Sequence, residues 1–167
     1  MGGDEIFDVV DEADCVIATA AREDVHRQGL LHRSAHILVY DADGRLYLQR
    51  RSFTKECSPG LWDTSAAGHL GAGEDYAAAA RRELAEELGL GAGHSLEPLF
   101  KLQASAVTGQ EFVWVFRTFT SDPITPDPVE IIEGRWCDQA TLEHWLATEP
   151  EAFTGSFRLI WARLRGH

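Results

Sequence analysis

The sequence predicts an α/β sandwich. Strand-like and helical segments are interspersed along the chain, which disfavours an all-α or an all-β protein. The chain has 167 residues, 44% of them hydrophobic, so it is long enough to bury a core without disulfide or metal cross-links. Neither an internal repeat nor a linker divides it, and we expect a single domain over residues 1–167.

The first half is expected to contain two β-hairpins and a short helix. Residues 6–10 and 15–20 are apolar segments around a polar turn, as in two paired strands. Residues 22–29 are helical in character and end at Gly29. The segments SAHILVYD and RLYLQR then flank DADG, a combination typical of a second hairpin. Residues 51–62 follow as a loop.

The second half adds helices and the remaining strands. A helix is expected over residues 75–88, with Asp75 as its N-cap and Gly89 at its C-terminal end. The segment EFVWVFRTF is apolar on both faces, which indicates an interior strand. The other elements of this half are expected near residues 98–105 and 133–137 for strands, and near residues 139–147 and 155–165 for helices.

Charge and composition exclude several classes of protein. The chain carries 15 basic and 27 acidic residues, a net charge of −12, so it repels polyanions and we expect no nucleic-acid partner. It has no apolar run of roughly 18 residues, as a membrane span requires, and its acidic N-terminus does not resemble a secretory signal. Three scattered cysteines fit a reduced compartment. We therefore expect a cytoplasmic protein without a membrane partner.

The informative segment is residues 68–90, GHLGAGEDYAAAARRELAEELGL. On a helix, Glu83, Glu86 and Glu87 fall within an arc of about 100°, beside an apolar stripe that can pack on a sheet and consists of Ala77, Ala80, Leu84 and Leu88. Like charges at i and i+4 repel, so this face favours a bound cation. Oxygen ligands suit Mg²⁺ or Mn²⁺. Without further context, a solvated acidic surface would be the simpler interpretation.

The full spacing adds that context. From Gly68 to Leu90 the chain reads G-x5-E-x7-R-E-L-x-E-E-x-G-L, which resembles the Nudix box at every position. The resemblance implies an α/β/α sandwich with a mixed β-sheet and hydrolysis of a diphosphate bond in a nucleoside diphosphate linked to another group. It also implies roles for single residues: Glu83, Glu86 and Glu87 as metal ligands with catalytic function, the carbonyl of Gly68 or Ala67 as a further ligand, and Glu74 with Arg82 as a structural ion pair.

The resemblance extends beyond the box, over most of residues 5–160. LHRSAHILVYDADGRLYLQRRS, K-x3-PGLWD-x-S-x2-GH, RWCD and the N-terminal hairpin are similar to the isopentenyl-diphosphate isomerase branch of the superfamily. Arg51 and Lys55 fall where those isomerases hold a diphosphate, and they supply positive charge that an acidic protein needs there. The alternative is that both are solvated loop cations.

Two departures favour hydrolysis over isomerisation. Ala67 stands where the isomerases place a catalytic cysteine, and an alanine cannot transfer a proton. All three box glutamates are present, whereas the isomerases commonly break the box on its helix. We therefore expect a Mg²⁺-dependent hydrolase acting on a small-molecule diphosphate. Isopentenyl-diphosphate isomerase-like activity and a non-catalytic ligand-binding module remain the alternatives.

Several residues keep two interpretations. His32 and His69 match positions of a metal site in the isomerases, and Glu111 could supply a carboxylate there, while His26 is about one residue out of register. The sequence favours ordinary hydrogen-bonded side chains over a second metal site at these positions. Trp62 is expected in the core rather than stacked on a ligand. A homodimer is possible. The general base is left open, and its candidates are Glu86, Glu111, Glu130 and Glu133.

Overall fold

The computed structural model describes residues 5–166. Its strands are β1 Ile6–Val10, β2 Val16–Ala21, β3 His32–Tyr40, β4 Leu46–Arg51, β5 Trp62–Asp63, β6 Ala66–His69, β7 Glu97–Leu102, β8 Glu111–Phe119 and β9 Ile131–Cys137. Its helices are α1 Arg22–Gln28, α2 Tyr76–Leu88, α3 Gln139–Thr148 and α4 Gly155–Leu164, with a 3₁₀ turn at Pro150–Ala152 before α4. These elements match the predicted ones, with the short strands β5 and β6 added between the predicted loop and α2.

The strands form a two-stranded sheet, β1–β2, and a seven-stranded sheet. In the large sheet the order is β5-β4-β3-β8-β7, while β6 pairs with β3 and β9 pairs with β4. The β3–β8 pair is parallel over its whole length and the remaining pairs are antiparallel, so the sheet is mixed. The predicted interior strand, β8, lies between β3 and β7.

Helices cover both faces of the large sheet, because β3 alternates its apolar side chains between two cores. One core contains Ile37 and Val39 of β3 with Leu84 and Leu88 of α2. The other contains Leu38 of β3 with apolar residues of α3 and α4, namely Leu142, Phe157 and Ile160. The predicted α/β/α sandwich is therefore confirmed. In α2 the buried stripe includes Ala79 instead of Ala77, which is exposed.

The ends of α2 are set by the residues predicted from the sequence. The Asp75 carboxylate accepts a hydrogen bond of 2.7 Å from the Ala78 amide, which satisfies one of the free amides of the first turn. Gly89 ends the helix with φ of 70°, a left-handed conformation that glycine adopts without a steric penalty.

The predicted hairpin between β3 and β4 opens almost at once. The two strands pair only at Tyr40 and Leu46, after which β3 pairs with β6 and β4 pairs with β9 and β5. The strands diverge from this one pair, so a gap lies between β4 and β6. Gln49 of β4 reaches across it and donates a hydrogen bond of 3.1 Å to the Ser65 carbonyl.

The N-terminal hairpin packs over one end of the large sheet. Phe7 and Val9 of β1 form a small core with Val25 of α1. The turn between β1 and β2 is tied down by the Asp14 carboxylate, which is bonded to Arg33, Tyr76 and Lys101 at 2.7 to 2.9 Å. The hairpin is thus a fixed part of the molecule. None of the helices in residues 5–166 has the length and apolar character needed to cross a membrane.

Candidate functional site

The box carboxylates meet the backbone of β6 at the gap in the sheet. Glu87 is 6% exposed, and its Oε1 accepts hydrogen bonds of 3.0 Å from the Ala67 amide and from Gln49 Nε2. Glu83 is 9% exposed and crosses Gly68 so closely that a Cβ there would lie 2.1 Å from its carboxyl carbon. Glu86 is exposed. Two buried carboxylates and one exposed carboxylate therefore lie along one helix face beside β6.

Burial makes the two inner carboxylates hard to ionise. It raises the pKa of Glu83 and of Glu87, and in Glu87 the repulsion from Glu83 raises the pKa further. A divalent cation between them would reverse this effect, because it supplies the counter-charge that burial removes. The metal ligands available on this helix face are carboxylate oxygens, which Mg²⁺ and Mn²⁺ prefer. The residues present fit the cation that the box implies.

Arg82 holds several parts of the site together. Its Nε and Nη2 donate to the two carboxylate oxygens of Glu74 at 2.8 and 2.9 Å, so this ion pair is bidentate. Nη2 also donates to the His69 carbonyl at 3.0 Å, and Nη1 contacts both Glu83 and Glu86. Arg82 thus joins the loop, the end of β6 and the carboxylate face, a wider role than the single ion pair expected from the sequence.

A cavity of about 1010 Å³ lies in front of the carboxylates. Both cations predicted to bind phosphate line it, and neither is a fully solvated loop cation. Arg51 donates a hydrogen bond of 3.1 Å to the Cys57 carbonyl and its Nη1 lies 3.7 Å from Asp63. Lys55 forms an ion pair with Glu130, which lines the same cavity.

Arg22 is a further cation of the cavity wall that sequence reasoning missed. Its side chain is 21% exposed and pairs with Glu5 at 3.3 Å, but its Nε is buried and has no hydrogen-bond partner in residues 5–166. Arg22 is the first residue of α1 and belongs to no motif, so only the packing of the hairpin on the sheet brings it to the cavity.

Three histidines and a carboxylate form a second cluster of candidate metal ligands, which we call the histidine cluster. It consists of His26, His32, His69 and Glu111, whose donor atoms all lie within 4.8 Å of one another. His69 Nε2 is 2.9 Å and His32 Nε2 is 3.4 Å from the Glu111 carboxylate. His26 joins the cluster although it is about one residue out of register with the isomerase pattern in sequence. The α1 helix turns its ring into the cluster.

The donor atoms of the histidine cluster suit a metal. His32 Nδ1 lies 2.8 Å from the Leu30 carbonyl, which can only accept, so Nδ1 donates there and Nε2 faces the Glu111 carboxylate at 3.4 Å. That Nε2 and His26 Nδ1 are buried and have no hydrogen-bond partner within the described part of the chain. Burial alone would raise the pKa of Glu111, but the adjacent His69 and His32 lower it well below its ordinary value. Imidazole nitrogens that release a proton to solvent on binding, together with an ionised carboxylate, are ligands for Zn²⁺ or Mn²⁺.

Comparison with known proteins identifies the family. The NUDIX domain model matches residues 30–155, which contain both groups of candidate ligands except His26. The chain belongs to the NUDIX family. The match leaves out the β1–β2 hairpin and the whole of α1.

Relatives of two kinds resemble this NUDIX protein. An isopentenyl-diphosphate Delta-isomerase of Burkholderia multivorans is 36% identical over 160 residues, covering 93% of this chain and 90% of that protein. An uncharacterized Nudix hydrolase of Streptomyces coelicolor is 36% identical over 142 residues, covering 84% of this chain and 78% of that protein. The crystal structure of DR0079 from Deinococcus radiodurans is 28% identical and superposes with a TM-score of 0.76 over 86% of this chain and 90% of that one. The isomerase-like branch is confirmed, and identity alone does not separate isomerase from hydrolase.

The candidate bases of the NUDIX protein divide by position. Glu86, Glu111 and Glu130 line the cavity. Glu133 lies on β9 outside the cavity lining, where it is 3.9 Å from Arg50. Its position on the sheet therefore disfavours Glu133 as a base.

Trp62 lies in the core as expected. It is 5% exposed and packs edge-on against Trp145 with ring centroids 5.1 Å apart. The guanidinium of Arg135 covers the ring at 4.9 Å. A base could not stack on Trp62 without displacing these neighbours.

Proposed function

We propose that this NUDIX protein hydrolyses the diphosphate bond of an organic diphosphate with the help of Mg²⁺ or Mn²⁺. The observation that carries the proposal is the convergence of Glu83 and Glu87 on the backbone of β6, beside a cavity whose walls carry Arg22, Arg51 and Lys55. Carboxylates that need a metal ion thus lie next to arginine and lysine side chains that can hold a phosphate.

Glu83 and Glu87 would hold the metal, with Glu86 at the solvent side and the Gly68 or Ala67 carbonyl as a further ligand. When bound, the metal neutralises diphosphate charge and makes water more acidic. Gln49 and the Ala67 amide fix one oxygen of Glu87, which leaves its other oxygen to turn toward the cavity. Arg82 Nη1 donates a hydrogen bond to Oε1 of Glu83 and fixes that oxygen, which leaves the other oxygen of Glu83 for the metal.

The cavity cations would orient the substrate. Arg51 is held by Cys57 and Asp63, so its guanidinium is presented to the cavity at a fixed place. Lys55 is paired with Glu130 and would exchange that partner for a phosphate oxygen. The released Glu130 carboxylate would then be free to accept a proton from water, as would Glu86.

Turnover of a compound panel tests this proposal. The panel contains ADP-ribose, UDP-glucose and isopentenyl diphosphate, with the monophosphate products measured directly by chromatography. We expect release from at least one member with Mg²⁺ and none in excess EDTA. Hydrolysis that continues at the same rate in EDTA would refute the metal-dependent part of the proposal.

Isomerisation of isopentenyl diphosphate is the second candidate, since the histidine cluster and the isomerase relatives favour it. Against it stands Ala67, which lines the cavity and offers a methyl group where a proton donor is needed. Incubation of isopentenyl diphosphate in heavy water decides the matter. We expect no deuterium in recovered material, and clear incorporation by the pure protein would replace hydrolysis with isomerisation.

A further inference from the structure

Two polar side chains of β3 line the cavity that the box carboxylates and the histidine cluster also reach. Ser34 and His36 are alternate residues of β3 and share one face of the strand with His32. They are 2% and 5% exposed, and both contact the cavity. Neither of them belongs to the histidine cluster or contacts a box glutamate through a hydrogen bond in residues 5–166.

The Ser34 hydroxyl is buried without a partner. It forms no hydrogen bond within residues 5–166. Its neighbours in the sheet are His69 on β6 and Val113 on β8, and the valine offers no polar atom. A buried hydroxyl is normally paired, because leaving it unpaired is unfavourable. Since this hydroxyl adjoins a cavity, a bound molecule can supply the missing partner.

His36 presents a hydrogen-bond acceptor to the same space. Its Nδ1 is 2.8 Å from the Thr64 hydroxyl, which donates its own proton to the Ala66 carbonyl. We assign the ring proton to Nδ1, because the Thr64 oxygen can accept it and the Asp63 carboxylate lies 3.7 Å from the same nitrogen. This tautomer leaves Nε2 with a lone pair and no donor in the described part of the chain. Burial lowers the pKa of His36 despite the nearby Asp63, so the ring is neutral.

We propose that Ser34 and His36 form a subsite that hydrogen-bonds hydroxyl groups on the organic part of the diphosphate substrate. A serine hydroxyl that donates and an imidazole nitrogen that accepts together complement an alcohol, which both accepts and donates. The proposal rests on the diphosphate hydrolysis proposed above and narrows its substrate class. It favours a diphosphate joined to a sugar, as in ADP-ribose or UDP-glucose, over a prenyl diphosphate.

The position of the subsite supports this assignment. His36 is paired with Ala67 in the β3–β6 ladder, and the Ala67 amide binds the Glu87 carboxylate at 3.0 Å. The subsite is therefore adjacent to the expected diphosphate position, where the first group beyond the phosphates would lie. The cavity, at about 1010 Å³, has room for such a group.

A hydrocarbon chain in the same place would leave both polar atoms unpaired. Water would be displaced from Ser34 and His36 without replacement, which weakens binding of the hydrocarbon relative to a sugar. A site built to hydrogen-bond a substrate discriminates strongly against an analogue that lacks the bonding group.

The test is a binding titration that does not require turnover. ADP-ribose, UDP-glucose and isopentenyl diphosphate are titrated by calorimetry into wild-type protein and into Ser34→Ala, with Ca²⁺ replacing Mg²⁺ to slow hydrolysis. Ser121→Ala, an exposed serine outside the cavity lining, is the matched control. Ser34→Ala removes one oxygen and adds no bulk, so the variant should fold.

We expect Ser34→Ala to weaken the tighter-binding sugar diphosphate by roughly three- to tenfold, as for the loss of one hydrogen bond. Affinity for isopentenyl diphosphate should stay level or rise, and Ser121→Ala should match wild type. Equal losses for all ligands, no loss for any, or tighter wild-type binding of isopentenyl diphosphate would overturn the subsite. If the preference depends on Ser34 but no compound is hydrolysed, the subsite stands and the hydrolase proposal fails.

Discussion

Gly68 carries no side chain at the place where the Glu83 carboxylate crosses β6. Its backbone is not in the left-handed region, so glycine is required there by space and not by conformation. A Cβ at residue 68 would overlap the end of the Glu83 side chain, which is flexible and can move away. The expected result is a folded protein whose Glu83 no longer faces the metal position.

We therefore expect Gly68→Ala to weaken Mn²⁺ binding roughly tenfold or more while its melting temperature stays near that of wild type. Gly91→Ala is the matched control, because an added Cβ there meets no atom within 4 Å. Calorimetric titration with Mn²⁺ measures the effect. Unchanged affinity in Gly68→Ala would show that the contact between Gly68 and Glu83 is unrelated to the metal.

The raised pKa values of Glu83 and Glu87 have a consequence for stability. A carboxyl whose pKa rises on folding binds more protons in the folded state than in the unfolded state. Its stabilising contribution is complete below the unfolded pKa and is lost as pH rises through the folded pKa. The metal-free protein should thus lose this contribution as pH rises from the ordinary carboxyl range toward and through neutrality.

Glu87→Gln removes one of the two groups, so its stability should depend less on pH. We expect the variant to gain on wild type as pH rises from about 5 to about 8, in the presence of EDTA. Thermal unfolding of both proteins, with Glu133→Gln as an exposed control, measures this difference. If the stability of Glu87→Gln relative to wild type stayed constant or fell as pH rises, the assignment of a raised pKa to Glu87 would be contradicted.

Among the structural elements, the N-terminal hairpin covers the histidine cluster. The Phe7 ring stacks on His69 with ring centroids 4.8 Å apart and on His32 with centroids 5.8 Å apart. The Asp14 carboxylate fixes the far end of the hairpin through Arg33, Tyr76 and Lys101. Asp14 has φ of 62°, and asparagine is one of the few other residues that accept this conformation readily.

Asp14→Asn should therefore keep the backbone conformation of the turn but lose the negative charge that binds the side chains of Arg33 and Lys101. We expect a loss of roughly 1–3 kcal/mol in the free energy of unfolding, as for a buried charged hydrogen-bond network. Asp24→Asn, which affects a surface pair with Arg27, should cost roughly 0.5 kcal/mol or less. Urea denaturation measures both. Equal losses in the two variants would mean that Asp14 does not anchor the hairpin.

Local signals made most of the elements predictable. Asp75 and Gly89 bound α2 through interactions with residues within a few positions, and strand alternation shows in each segment by itself. The β3–β4 divergence was not predictable, because DADG determines a turn but not which strand pairs next. His26 and Arg22 reach the cavity only through the packing of α1. No spacing rule in the sequence reports such packing.

On the scale of the whole molecule, an acidic protein places four cationic side chains in the wall of one cavity. The net charge is −12, yet Arg22, Arg51, Lys55 and Arg82 line the same space as the carboxylates. Distant anions are repelled by the molecule as a whole, so binding of a diphosphate depends on short-range contacts and on the metal. The sequence indicated this need for local positive charge, while the fold shows where the charges meet.

The measurement that tests the central claim most directly is kcat with saturating Mg²⁺ for Glu87→Gln, compared with Glu133→Gln, on whichever organic diphosphate the wild type hydrolyses. Glutamine keeps the size of the side chain and its helix propensity but removes the negative charge. Because charge developing in the transition state would lose its counter-ion, we expect kcat to fall by about a hundredfold or more in Glu87→Gln. Glu133→Gln should retain the wild-type value. A Glu87→Gln protein that turns over at the wild-type rate would contradict the assignment of this glutamate as a metal ligand in a NUDIX hydrolase.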